Sequence, residues 1–213
     1  MLSLSLPVGK PLEVLCLGAH CDDIEIGCAG TLMSLQERHP GSRFHWVVFT
    51  QEAGRERETR DAAAKIHGKA VEIEVHDFRM SYLPFEGAKV KDLFEDVKRR
   101  ARPDLVFTHR LEDRHQDHRL VAELTWNSFR DHLVLEYEIP KYEGDLGHPN
   151  LFVPLDSAVV ARKLEVLSTC FPSQAKRPWF RREVFQGLLA LRGIECNAPS
   201  GSAEGFYARK LCV

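Results

Sequence analysis

The sequence predicts an α/β fold, Rossmann-like, with three layers built around a mostly parallel sheet. Short, uniformly apolar runs recur along the chain, as strands buried on both faces require, and segments of helical spacing separate them. A third observation points to the working end of that sheet. The apolar run 14–19 drives into His20-Cys21-Asp22-Asp23-Ile24-Glu25, and the run 104–108 drives into His109 and then Asp113-Arg114-His115-Gln116-Asp117-His118. Titratable groups are costly to bury unless paired or metal-bound, so two strand ends loaded in this way predict one shared centre.

Taken in order, residues 14–19 form a short apolar strand, and residues 27–37 place Leu32 and Leu35 at helical spacing. Residues 44–49 form a second strand and residues 50–54 a loop. Residues 56–67 form a charged, then alanine-rich helix stopped by Gly68. Residues 71–75 alternate apolar and acidic side chains, which fits a strand with one wetter face. After a turn at Leu83-Pro84, Val90, Leu93, Phe94 and Val97 mark a helix that runs to Ala101; Pro103 then precedes the strand 104–108. A helix over 118–129, a strand over 133–139 and a Gly/Pro-containing loop over 141–150 follow. Helices over 157–167 and 183–191 and a final strand over 206–211 complete the reading. In such sheets ligands gather beyond the carboxyl ends of the strands, at a topological switch point, where both loaded loops would sit.

At 213 residues, 44% hydrophobic and 28% charged, the chain is expected to fold as a single domain, residues 1–213. A net charge of −2 without a basic tract interleaved with aromatics argues against a nucleic-acid partner. No apolar run approaches membrane-spanning length, and residues 1–10 lack the pattern of a signal peptide, so a cytoplasmic location is expected. Cys16, Cys21, Cys28, Cys170, Cys196 and Cys212 show no C-x-x-C spacing and are expected to remain thiols. Homo-oligomerisation is left open.

The metal argument starts from residue chemistry. His20 and Asp23 from one loop and His118 from the other give two imidazoles and a carboxylate with a coordination position to spare, the pattern of hydrolytic zinc sites. His/Asp ligands accept other divalent ions as well. A Cys21 ligand is disfavoured, because adjacent residues rarely reach one ion.

His20-Cys21-Asp22-Asp23-Ile24-Glu25, followed by Gly27-Cys28-Ala29-Gly30-Thr31-Leu32, resembles the A-H-P-D-D-x-E-x-G-C-G-G-T-L signature of the PIG-L/LmbE-like zinc deacetylases. Asp113-x-His115-x-Asp117-His118 resembles their second signature, H-x-D-H. Gln51-Glu52-Ala53-Gly54, the helix that follows, residues 103–109 and Ala203-Glu204-Gly205-Phe206 extend the likeness over most of the chain. Cys21 stands where the family has proline. The resemblance implies hydrolysis of an N-acetyl group on an N-acetylglucosamine-type amino sugar or conjugate, a small-molecule substrate. It implies zinc on His20, Asp23 and His118, and Asp22 as general base. His115 falls where the family stabilises the tetrahedral intermediate, here as an imidazolium. Asp117 and Asp113 would orient histidines.

Of the arginines Arg55, Arg57 and Arg60, Arg57 best matches the family's substrate-binding position, although a solvated helix face accounts for it nearly as well. Glu25 reads as an acid favoured by a helix N-terminus, and His109 as a strand-capping or exposed residue. Tyr142, Trp126 and Trp179 could stack on a sugar, with core packing the safer reading for Trp126. Two further classes compete: a non-catalytic sugar- or nucleotide-binding relative, and a nucleotide-binding Rossmann protein. The second lacks a G-x-G-x-x-G after its first strand.

Overall fold

The computed structural model describes residue 6, residues 9–52 and residues 54–211. Ala53, Cys212 and most of the segment 1–10 considered above lie outside the described residues. The elements run β1 (Glu13–Gly18), α1 (Asp23–Arg38), β2 (Arg43–Thr50), α2 (Arg55–His67), β3 (Val71–Phe78), a 3-10 turn (Leu83–Glu86), α3 (Gly87–Arg100), β4 (Leu105–His109), α4 (Gln116–Ser128), β5 (Leu133–Tyr137), β6 (Leu151–Pro154), α5 (Ser157–Cys170), α6 (Arg182–Glu195) and β7 (Ala203–Ala208).

The seven strands make one sheet in the order β3-β2-β1-β4-β5-β7-β6. The first five pair in parallel, and β7 pairs antiparallel with both β5 and β6. From β1 the chain builds outward through β2 and β3, then returns to lay β4 on the other side of β1. The switch point therefore lies between β1 and β4, the two strands whose ends carry the His/Asp clusters.

Period-2 alternation divides the sheet's side chains between two cores. Val14, Cys16, Phe44, Trp46, Leu105 and Phe107 point to one face, covered by α1, α2, α5 and α6. Leu15, Leu17, Val47, Phe49 and Val106 point to the other, covered by α3 and α4 through Val90, Phe94, Val97 and Val121. Each such large side chain contributes about 1.5–3 kcal/mol by leaving water. β3 at the edge is partly buried along its length with only Glu72 and Asp77 exposed, so the alternation of its sequence is not matched by an alternation in burial.

Several elements differ from expectation. α1 begins at Asp23 rather than Gly27, so Asp23 and Glu25 lie inside its first turn. β6 occupies Leu151–Pro154, just past the expected loop, where no element was assigned; it is short and only half-buried, and its pairing with β7 is long-range, so its local pattern is weak. β7 covers Ala203–Ala208 rather than 206–211. Among the described residues, Cys16, Cys21, Cys28, Cys170 and Cys196 are free thiols, and no helix is long and apolar enough to cross a membrane.

The packing of α1 is unusual at its middle. The N–H groups of Gly30 and Thr31 donate to the Glu204 carboxylate of β7 at 2.9 and 2.7 Å, and the buried Lys163 ammonium donates to both Glu204 Oε1 (2.5 Å) and the Ile26 carbonyl (2.6 Å). The Gly30 N–H and the Ile26 carbonyl are i→i−4 partners in a regular helix, and here each also meets a side chain from outside it. Close approach also explains Gly27: a Cβ there would meet the Tyr137 ring at 2.3 Å.

Candidate metal centre and its surroundings

Five loops at the carboxyl edge of the sheet build the site. The turn after β1 is tight, with the Asp22 N–H donating to the His20 carbonyl at 3.1 Å, and it delivers His20, Asp22 and Asp23 together. The loop after β4 delivers Asp113, His115, Asp117 and His118, the last two on the first turn of α4.

His20 Nδ1 and His118 Nε2 lie 3.1 Å apart. Asp23 Oδ2 is 3.3 Å from the first, and Asp23 Oδ1 is 3.6 Å from the second. Tetrahedral coordination at about 2.0–2.2 Å places ligand atoms about 3.3–3.6 Å apart. The two imidazole nitrogens and the Asp23 carboxylate are thus spaced as ligands of one small cation would be.

Their hydrogen-bonding leaves the lone pairs free for that purpose. His118 Nδ1 lies 3.0 Å from Asp113 Oδ2, and His20 Nε2 lies 3.2 Å from Asp117 Oδ2. Each carboxylate takes the N–H of its imidazole, which turns the other nitrogen inward as an acceptor. The Asp117 carboxylate is held in turn by the N–H groups of Ser81 (2.6 Å) and Leu83 (3.2 Å). Three buried acceptors at mutual contact demand a positive charge, which a proton or a metal ion can supply. Burial opposes the charge of His20, but Asp23, Asp117 and Asp22 outweigh it and raise its pKa to about 10. Burial takes His118 down to about 3 with the help of His109, and its imidazole stays neutral.

Asp22 stands beside this set without joining it. Its Oδ2 is 2.7 Å from Arg55 Nη2, which also donates to the Cys21 carbonyl at 2.6 Å. Burial raises the Asp22 pKa, Arg55 pulls it down, and the balance lies at about 7. Arg55, 8% exposed, is the arginine that reaches the site. Arg57 is 88% exposed and pairs with Asp61 on the outside of α2, which corrects the expectation that it lines the site. Two residues on a helix are about 200° apart, so Arg55 and Arg57 face opposite ways.

His115 caps α4: its Nδ1 accepts the Asp117 N–H at 3.2 Å, which leaves the proton on Nε2. Burial and the nearby His20 charge lower its pKa, so it is a neutral donor rather than the expected imidazolium. Its ring lies edge-on to His20 at 4.8 Å and 4.5 Å from His118. His20, His115 and His118 form one grouping with ligand atoms within 4.8 Å, and Asp23, His109 and His118 form another.

His109, expected at a strand cap or in solvent, is fully buried. It stacks on His118 at 3.9 Å and brings Nε2 to 3.1 Å from Asp23 Oδ2 and 3.2 Å from the Tyr137 hydroxyl. Glu25 is also buried, with Oε1 unpartnered and its pKa pushed well above the usual range by burial, so it is a neutral acid. Cys21 points away: Sγ lies 3.6 Å from the Thr50 carbonyl, and burial raises the thiol to about 12.

A doubly loaded switch point, with carboxylate-oriented histidines and a separate buried carboxylate, defines a Rossmann-like α/β protein with a candidate His/Asp metal centre. The chain belongs to the PIG-L family, described as GlcNAc-PI de-N-acetylase, which it matches over residues 15–129, more than half its length. Solved structures share the fold. GalB, the 4-carboxy-2-hydroxymuconate hydratase of Pseudomonas putida KT2440, superposes with a TM-score of 0.77 at 17% identity, covering 95% of this chain and 98% of its own. The conserved protein TT1542 of Thermus thermophilus gives 0.74 at 21%, covering 95% and 96%. The N,N'-diacetylchitobiose deacetylase of Pyrococcus horikoshii gives 0.73 at 20%, covering 92% and 83%.

Proposed function

We propose that this protein is a zinc-dependent hydrolase that removes the N-acetyl group from an N-acetylglucosamine-type amino sugar or its conjugate and releases acetate. The observation that carries the reading is the convergence of His20 Nδ1, His118 Nε2 and Asp23 at 3.1–3.6 Å beside a carboxylate outside the set. Family membership and a deacetylase among the structural neighbours support it.

In this reading His20, Asp23 and His118 hold the ion, and Asp113 and Asp117 orient the two imidazoles. A divalent cation there supplies a Lewis acid and lowers the pKa of water at neutral pH. Asp22 is the general base: it takes a proton from the attacking water as the new C–O bond forms, and returns it to the amide nitrogen as the C–N bond breaks. The amino sugar and acetate leave. Arg55, paired with Asp22 at 2.7 Å, would hold the charge of that carboxylate. His115 donates its Nε2–H toward the oxygen that gains charge in the tetrahedral intermediate; a neutral donor serves there without losing a proton.

The test is acetate release from a panel of N-acetylglucosamine conjugates, with the protein stripped by chelator and then reloaded with zinc. Release that disappears on stripping and returns on reloading is expected. Bound zinc with no release from any amide would overturn the reading in favour of a binding relative. Hydration of an unsaturated acid without acetate release would move it toward the reaction carried in the name of the GalB neighbour.

A further inference from the structure

Lys141 lies near the start of the segment between β5 and β6, which is tied down although it has little regular structure. Its Nζ donates to Asp113 Oδ2 at 2.9 Å and to the two Asp145 oxygens at 2.7 and 2.8 Å, and its side chain is only 9% exposed. Asp113 Oδ2 is the atom that takes the His118 Nδ1 proton, and Asp113 Oδ1 accepts the His115 N–H at 2.7 Å. Asp145 in turn accepts the Arg114 N–H at 2.7 Å, and its carbonyl accepts from Arg110 Nη1 at 2.6 Å. A single ammonium therefore separates two buried carboxylates, one on the loop that carries His118 and one on the segment facing it.

We propose that Lys141 is a positioning residue for the metal centre, acting on His118 through Asp113; this rests on the metal reading above. Without the ammonium, Asp113 and Asp145 repel across a buried gap. Asp113 then swings off His118, and His118 loses the acceptor that fixes its tautomer and orients its ring toward a cation. Partners of this kind contribute about 10–100-fold to metal affinity. Asp145 draws the facing segment onto the same ammonium but does not touch His118, so its loss frees the segment and leaves the Lys141–Asp113 contact in place.

The experiment measures zinc affinity of the full chain, stripped of metal, by competition with a chromophoric chelator, for the wild type, Lys141→Met and Asp145→Asn. Lys141→Met is expected to weaken zinc at least about tenfold and Asp145→Asn less than about threefold. Both should speed cleavage after Glu143 by a Glu-specific protease. The visible bands of the cobalt-loaded protein should shift in Lys141→Met alone. If Lys141→Met fails to fold, Lys141→Gln takes its place with the same expectation. Equal zinc affinity in the wild type and the lysine variant overturns the proposal while leaving the metal reading intact. Equal losses in the Lys141 and Asp145 variants reduce Lys141 to a tether and overturn it also. A wild type that takes up no zinc overturns the metal reading and, with it, this one.

Discussion

Replacing Arg55 with methionine tests what keeps Asp22 ionised. The guanidinium lies 2.7 Å from Asp22 Oδ2 in a buried setting, where burial alone drives a carboxyl toward its neutral form. Two unit charges with centres about 4 Å apart interact by about 4 kcal/mol at an effective dielectric of about 20, equivalent to about 3 pK units. Side-chain relaxation and entering water take part of this back, leaving an upward shift of about 1–3 units. The sign follows from the role: a base works only when ionised, so activity is lost on the acid side. From about 7, the Asp22 pKa should climb toward the alkaline range. A cation on His20, Asp23 and His118 pulls the wild-type value the same way as Arg55 does, so the wild-type acid limb is expected at or below pH 7. The assay is kcat/KM for acetate release from pH 5 to 10, with zinc content determined in parallel. Arg55→Met should lose about 10–1000-fold at neutral pH and recover as the pH rises. A loss equal at every pH, with zinc retained, would show that Arg55 grips substrate without setting the charge of Asp22. An unmoved limb with full activity would refute the argument altogether.

Asp22→Asn should retain zinc by elemental analysis yet lose about 10²–10⁴-fold in turnover, whereas His118→Ala should lose the zinc itself; equal emptiness of the two would collapse the distinction between base and ligand. Gly27→Ala forces a Cβ to 2.3 Å from the Tyr137 ring and should cost about 1–3 kcal/mol in urea unfolding, a midpoint equal to wild type being the contrary result. Lys163→Met leaves Glu204 buried without its counter-ion and should cost about 3–5 kcal/mol; if chemical denaturation finds less than about 1 kcal/mol, the pair is not needed to hold β7 against α1.

The parallel core of the sheet is legible because β1, β2 and β4 are continuous apolar runs whose period and length admit few alternatives. β6 is not, since Leu151–Pro154 is short and only half-buried, and is made a strand by β7 about fifty residues later. His20, Asp23 and His118 could be singled out because each stands at the end of a strong element. The choice between Arg55 and Arg57 turned on where α2 begins, and one or two residues of helix phase reverse the facing of a side chain. His109 carried a usable signal: it continues the alternation of Leu105 and Phe107 toward the face that α1 covers, where Asp23 waits. Lys141 carried none, because its contacts depend on how an irregular segment folds back on another loop.

The Glu204 and Lys163 contacts on α1 have a consequence in time. The helix that opens with Asp23 has its mid-section donors and one of its acceptors completed by residues 163 and 204, about 140 and 180 positions further along. During synthesis, the first β-α unit emerges long before residues 163 and 204, so these contacts wait for most of the polypeptide. Contacts so distant in sequence are slow to form, so the docking of mid-α1 onto Lys163 and Glu204 is expected late in folding rather than at its nucleus.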